Sequence, residues 1–214
     1  MYKLPTSAAT PAERLAKGKE HRKSLRRADH GDWKPPKNRP DPVEMVVASC
    51  RGRLRNLIPL KFGRMAASPF GFFRGAAALM AADLASLPRS GLVAQICGDA
   101  HVRNLGAYAA PDGRLVFDIN DFDETIAGPF EWDLKRLATS LILAGNESGH
   151  PRKACKEAVR LFVRSYCAAM KAFSRSPVID IAKFQVHVNA GPVGAVLRKA
   201  ERATPLHNLE RLTV

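Results

Sequence analysis

CGDAHVRNLGAYAAPDGRLVFDINDFDETIAGPFEWD, residues 97–133, holds almost everything chemically unusual in the chain. Its carboxylates fall in two short runs. Asp99 follows the apolar segment Leu92-Val93-Ala94-Gln95-Ile96, and Asp118, Asp121 and Asp123 follow Leu115-Val116-Phe117. Both runs therefore lie at the exits of predicted strands. Between them, Pro111-Asp112-Gly113 signals a turn, because proline presets one backbone angle and glycine admits positive φ. The stretch reads as strand, polar loop, β-hairpin and acidic loop.

Ahead of that stretch, Leu87-Pro88-Arg89-Ser90-Gly91 ends a helix, since proline cannot continue the hydrogen-bond ladder and glycine tolerates the turn that follows. The helix is expected to start at Ser68-Pro69, with Phe70, Phe73, Ala77, Met80, Ala81 and Leu84 on a buried face. Arg64 and Arg74 flank its start. An anion there would find free backbone N–H groups and two guanidinium forks, although each arginine reads also as half of a structural ion pair. Asp41-Pro42-Val43-Glu44 is a further helix start, with Asp41 as N-cap, and that helix is expected to run to about Leu57.

After the acidic loop, Pro129 precedes a helix in which Leu134, Leu137, Ala138, Leu141 and Ile142 share a face. Gly145 and residues 146–149 end it, and Pro151 opens another helix running to about Phe173. Residues 177–214 hold a short apolar stretch, Val178-Ile179-Asp180-Ile181, then a Gly191-Pro192 break and a helix over 193–202.

With 214 residues, 46% of them hydrophobic, the chain can furnish a real core. The formal charge of +14 favours anionic partners such as nucleotides, nucleic acid or acidic membrane surfaces. Half of that charge lies in residues 1–40, where eleven Lys/Arg stand against four Asp/Glu. This basic segment, proline-rich at its end, reads as a solvated arm packed on the body through a few contacts, with nucleic-acid binding as the alternative. No interleaved aromatics support base stacking. Cys50, Cys97, Cys155 and Cys167 show no CxxC pair, which suits reduced, buried thiols in a cytoplasmic protein. No apolar run approaches the roughly 18 residues of a membrane span.

Gly98-Asp99-Ala100-His101-Val102-Arg103-Asn104 sets a carboxylate and a carboxamide five residues apart, with further carboxylates arriving from the hairpin. Oxygen ligands of this kind suit magnesium, whose shell substrate phosphates usually complete. An Asp kept free of the metal could accept a hydroxyl proton. A base, an Asn on the metal and an Asp on the metal are the parts of phosphoryl transfer.

The pattern Gly98-Asp99-x-His101-x-x-Asn104 resembles the GDxHxxN catalytic loop of aminoglycoside-phosphotransferase-like kinases, and Asp121-Phe122-Asp123 resembles their metal-binding Asp motif. Glu131-Trp132-Asp133-Leu134 is similar to the Tyr-Asp-Leu that opens their following helix. The resemblance implies Asp99 as base, with His101 ordering the loop and Asn104 and Asp121 as ligands of Mg2+ beside ATP. Asp123 would contact the metal or support it, and Asp118 and Asp133 would support the loop. Arg64, Arg74 and Arg103 would bind phosphate. Over about residues 40–214, the run from Arg64 to Gly75, GDAHVRN and NDFDETIAGPFEWDLKRL resemble more closely an uncharacterised bacterial family, domain of unknown function 2252.

Kinases hold nucleotide phosphates with a glycine-rich loop and a strand lysine. Neither stands ahead of Asp99, and members of the resembled family are longer, so the chain is expected to be C-terminally truncated, a fragment of a longer fold. The expected architecture is α+β: an arm over 1–40, then a kinase-like C-terminal lobe over 41–214, mostly helical with a small catalytic β-hairpin. The expected activity is Mg-ATP-dependent phosphotransfer to a hydroxyl on an unknown small-molecule or protein acceptor. Two alternatives stand beside it: a degenerate, non-enzymatic module binding nucleic acid or a protein partner, and a metal-dependent hydrolase or glycosyltransferase using Asp121 and Asp123.

Overall fold

A computed structural model describes residues 9–182 and 191–202, and these form an α+β structure, mostly helical, with two small antiparallel sheets. Helix α1 (Pro11–Ser24) opens with a reciprocal cap. Thr10 Oγ1 accepts the Glu13 N–H, and the Glu13 carboxylate accepts the Thr10 N–H at 2.7 Å. Leu25, just beyond α1, is buried, whereas Leu15 stays exposed. The basic segment is tied to the body by Arg39, which grips Asp83 bidentately at 2.7 and 2.8 Å and lies 5.6 Å from the Trp33 ring centre.

Asp41 caps α2 (Pro42–Ala48) by accepting the N–H groups of Val43 and Glu44 at 2.8 and 3.0 Å. The helix expected to reach Leu57 stops at Ala48. The chain reverses through Gly52 at φ +81°, and α3 (Ile58–Ala66) then starts with Pro59 in its first turn, where a missing N–H costs nothing. Ser68 caps α4 (Pro69–Gly75) through the Gly71 N–H at 2.9 Å. The single helix expected from Ser68 to Leu87 is two, because Ala76 leaves helical geometry at φ −115°, ψ 34°, and α5 (Ala77–Ala85) continues in a new direction. Two glycines set how α4 lies on α3. A Cβ on Gly71 would run into the Arg64 carbonyl, and one on Gly75 would run into the Met65 side chain. Val46, Met65, Ala76 and Leu79 form the core cluster between these helices, with Met45 and Phe62 packed against it.

Strand β1 (Val93–Ile96) follows, and then the hairpin of β2 (Leu105–Ala109) and β3 (Leu115–Ile119), with Leu105 opposite Ile119 and the turn at Gly113, φ +80°. Strand β4 (Ile126–Pro129) pairs antiparallel with β1, Val93 opposite Pro129 and Ile96 opposite Ile126. This strand corrects the reading of these residues as part of the acidic loop, a reading their lack of alternation and closing proline favour. Helices α6 (Glu131–Glu147) and α7 (Arg152–Phe173) pack on each other. The apolar stretch after Pro177 is a short helix, α8 (Val178–Ala182), with Val178 and Ile179 exposed, and α9 (Gly191–Glu201) lies beside the hairpin.

Cys50, Cys97 and Cys155 are buried as expected, but Cys167 is exposed. Among the described residues, no helix is long and apolar enough to cross a membrane. The buried positions of α6 are a surprise: Glu131, Arg136 and Ser140 are the most enclosed, while Leu134, Leu137 and Leu141 are half-buried.

Candidate active site

One face of α6 holds the polar loop after β1. Asp133, Arg136 and Ser140 are spaced three and four apart, which stacks them along a single side of the helix. Asp133 accepts the N–H groups of Cys97 and Gly98 at 2.7 and 3.0 Å. Arg136, 2% exposed, binds Asp99 Oδ1 through Nε at 2.6 Å and through Nη2, donates to the Phe73 carbonyl at 2.9 Å and stacks 4.2 Å from the Phe73 ring centre. Ser140, fully buried, accepts the Val102 N–H at 3.2 Å. One rung earlier, Glu131 accepts the Ser90 N–H and hydroxyl at 2.8 and 3.1 Å, which fixes the chain entering β1. The pairing of β1 with β4 delivers α6 to this place, because β4 ends two residues before it.

The acidic loop is joined to the polar one at two points. The Asn104 carbonyl accepts the Asn120 N–H at 2.9 Å, and the Cys97 thiol donates to the Asp121 carbonyl at 3.3 Å. Burial pushes the Cys97 thiol up, and the carboxylates of Asp133, Asp99 and Asp121 add to that, so it is a protonated donor at neutral pH. Asn104 is buried with its Nδ2 on the Asp99 carbonyl at 2.9 Å, leaving Oδ1 as the oxygen that a cation would take. Asp121 and Asp123 are exposed, and Asp121 Oδ1 accepts the Asp123 N–H at 3.3 Å. Asp118 stands on β3 and bonds the Ile119 N–H at 2.8 Å rather than residues 97–104. Among the described residues no three His, Cys, Asp or Glu side chains gather as a metal cluster. Asn104 and Asp121 thus offer two oxygen donors, a set that fits magnesium completed by phosphates and water, and does not fit a closed metal cage.

His101 is 3% exposed, with Nε2 3.7 Å from Asp99 Oδ2, its ring edge-on to Phe70 and Nδ1 buried without a partner. Burial pushes its pKa down, Arg136 and Arg74 push it further, and Asp99 opposes them. The imidazole is therefore neutral at pH 7. Because the folded pKa lies below the ordinary histidine value of 6.5, the unfolded chain takes up a proton that the folded one refuses as pH falls below about 6.5. Stability should then drop with falling pH from 6.5 to the folded pKa, by at most about 1.4 kcal/mol per pH unit. Above pH 6.5 His101 should contribute no slope. Urea unfolding of the wild type and His101→Phe across pH 5 to 8 checks this: the difference between the two curves should open only below about pH 6.5.

Arg64, Arg74 and Arg103 come from α3, α4 and the 3-10 turn Val102–Asn104, and all three line one groove of about 1010 Å3. Arg53 lines it too and pairs with Glu124 of the acidic loop at 3.0 Å. Asp99, Asn104, Asp121 and Asp133 lie on segments bonded to one another, with Asp123 beside them on the exposed side, while the arginines form a neighbouring patch. Sequence reasoning missed Arg136, Ser140 and the thiol bond of Cys97. The signal for the first two was limited to their spacing from Asp133, Asp133-x-x-Arg136-x-x-x-Ser140, which puts all three on one side of a helix that carries other polar residues too.

Residues 53–213 match the family described as "Uncharacterized protein conserved in bacteria (DUF2252)". Neither the curated proteins nor the solved structures contain a match.

Proposed function

The chain belongs to this bacterial family, DUF2252, and from that premise we propose that it is a Mg-ATP-dependent phosphotransferase of kinase-like type, acting on a hydroxyl acceptor. The observation that carries the reading is the junction of the two polar loops, which puts Asp99, Asn104 and Asp121 on backbone segments bonded to each other. Magnesium held by Asn104 Oδ1 and the Asp121 carboxylate would offset the charge of the transferring phosphoryl group. Asp99, held in place by Arg136, would orient the acceptor hydroxyl and take its proton as the new P–O bond forms. Asp133 and Ser140 keep the loop backbone fixed while this happens, which is the positioning that phosphoryl transfer chiefly requires.

A second reading, a non-enzymatic module of the same architecture, is favoured by one observation: Arg136 already occupies Asp99 Oδ1, so the carboxylate has a structural partner of its own.

Thermal unfolding of the full chain with magnesium alone, ATP alone and both separates the two. The phosphotransferase reading expects stabilisation that needs both ligands, about 2.7 kcal/mol at 100 times the dissociation constant, and that vanishes in Asp121→Asn. Asp121 is exposed, so this variant should melt like the wild type without ligands. Identical melting in all four conditions would overturn the reading for this chain and leave the binding module.

A further inference from the structure

We infer that the groove beside the polar loop takes the acceptor, and that the acceptor is a small organic oxyanion, with its phosphate or carboxylate on Arg64, Arg74 and Arg103 and an apolar body on the leucines of the same groove. The word acceptor rests on the phosphotransferase reading, whereas the binding chemistry does not.

Three separate elements bring these guanidinium groups to one cavity. Among the described residues, none of the three side chains has a hydrogen bond or an ion pair, whereas Arg39, Arg53 and Arg136 each bind a carboxylate. Gathering like charges without counter-ions costs free energy, and a bound oxyanion relieves it. Guanidinium forks match the paired oxygens of phosphate and carboxylate better than a point cation does. Lys61 adds a further positive charge to the wall, against a single lining carboxylate, Glu147, since Arg53 is already paired with Glu124. The close approach of α3 and α4 at Gly71 and Gly75 is what allows Arg64 and Arg74 to share the groove.

Part of the lining is apolar. Leu54, Leu57 and Leu60 form it and are more than half exposed, an arrangement that leaves apolar surface in water unless something covers it. A volume of about 1010 Å3 lies at the upper end of the roughly 300–1,000 Å3 usual for small-molecule sites. It is far larger than an inorganic anion needs.

Its place points to the acceptor rather than the nucleotide. Phe70 lines the groove and meets His101 edge-on at 6.2 Å, and Arg103 is two residues from His101, so the groove adjoins the loop that carries Asp99. Asp99, Asn104 and Asp121 all lie off the groove wall, so the groove would hold the anionic end of the acceptor while its hydroxyl reaches past the wall to Asp99.

The test is calorimetric titration of the full chain, without metal or nucleotide, with phenyl phosphate, benzoate, inorganic phosphate and phenol. Phenyl phosphate or benzoate should bind at least roughly tenfold more tightly than both inorganic phosphate and phenol, and which of the two binds better identifies the oxyanion. Arg74→Gln and Arg103→Gln should each weaken that binding by roughly tenfold or more, the loss expected for a charge-assisted hydrogen bond. Both side chains are exposed, so unchanged melting verifies that the variants fold, and Arg160→Gln on the outer face of α7 should bind as the wild type does. Absence of binding, equal affinity for phenyl phosphate and inorganic phosphate, or wild-type affinity in both variants would overturn the inference. An RNA oligonucleotide that displaces the bound probe at lower phosphate concentration would overturn it in favour of a polyanion. Because no metal or nucleotide is present, failure here leaves the Mg-ATP result standing, and the reverse also holds.

Discussion

Arg136→Met is expected to destabilise the fold by about 3–5 kcal/mol, a large share of the roughly 5–15 kcal/mol that holds a typical domain together. The methionine keeps much of the volume and the contact with Phe73, so the loss isolates the charge. Removing the guanidinium leaves Asp99 partly buried with its main counter-ion gone, and leaves the Phe73 carbonyl without its donor. Arg136→Lys should recover little, because an ammonium cannot reach Asp99 and Phe73 in the fork geometry seen here. In urea unfolding, Asp99→Asn combined with Arg136→Met should cost clearly less than the two single losses added, since the pair would be deleted as a unit. A loss below about 1 kcal/mol for Arg136→Met would mean that the pair behaves as a solvent-screened surface bridge.

Gly98→Ala is expected to cost roughly 3 kcal/mol, from two sources that a second glycine separates. Gly98 sits at φ +81°, and a Cβ there would also collide with the Glu124 carbonyl, which is backbone and cannot swing aside. Gly52 has the same φ, +81°, but a Cβ there meets nothing within 4 Å. Gly52→Ala should therefore show the conformational cost alone, about 1–2 kcal/mol. The excess in Gly98→Ala measures the contact between the polar and acidic loops. If both variants unfold at the same urea concentration, that contact is looser than the structure gives it.

Local chemistry was legible in the sequence wherever a residue acts on its own backbone. Asp41 and Ser68 cap helices where short polar residues ahead of proline said they would, and Pro111-Asp112-Gly113 turns the hairpin. Helix breaks were harder to see. Helix α2 stops at Ala48 and α4 at Gly75, and a periodicity that runs on across a break hides it. Strand β4 was illegible because its partner, β1, lies thirty residues earlier and supplies what its own pattern lacks. The acidic residues of the site could be named from their spacing in the loops that follow two apolar segments. What their spacing could not convey was how Asp99 is held, for Arg136 looks on paper like an ordinary surface arginine between Lys135 and Leu137. The same holds for the groove: Arg64, Arg74 and Arg103 are ten and twenty-nine residues apart, and they meet only through the packing of α3 on α4 and the turn at Val102–Asn104.

The stripe of Asp133, Arg136 and Ser140 makes the polar loop a reader of helix phase. Each residue of an α-helix advances about 100° around the axis, so one residue inserted or deleted between Asp133 and Ser140 would turn the later groups away together. Asp133, ahead of the step, would keep its grip on the Cys97 and Gly98 amides. A one-residue insertion or deletion between Asp133 and Arg136 would release the Val102 amide and the Asp99 carboxylate at once, whereas one between Arg136 and Ser140 would release the Val102 amide alone. Tolerance on this helix is therefore a matter of count more than of composition.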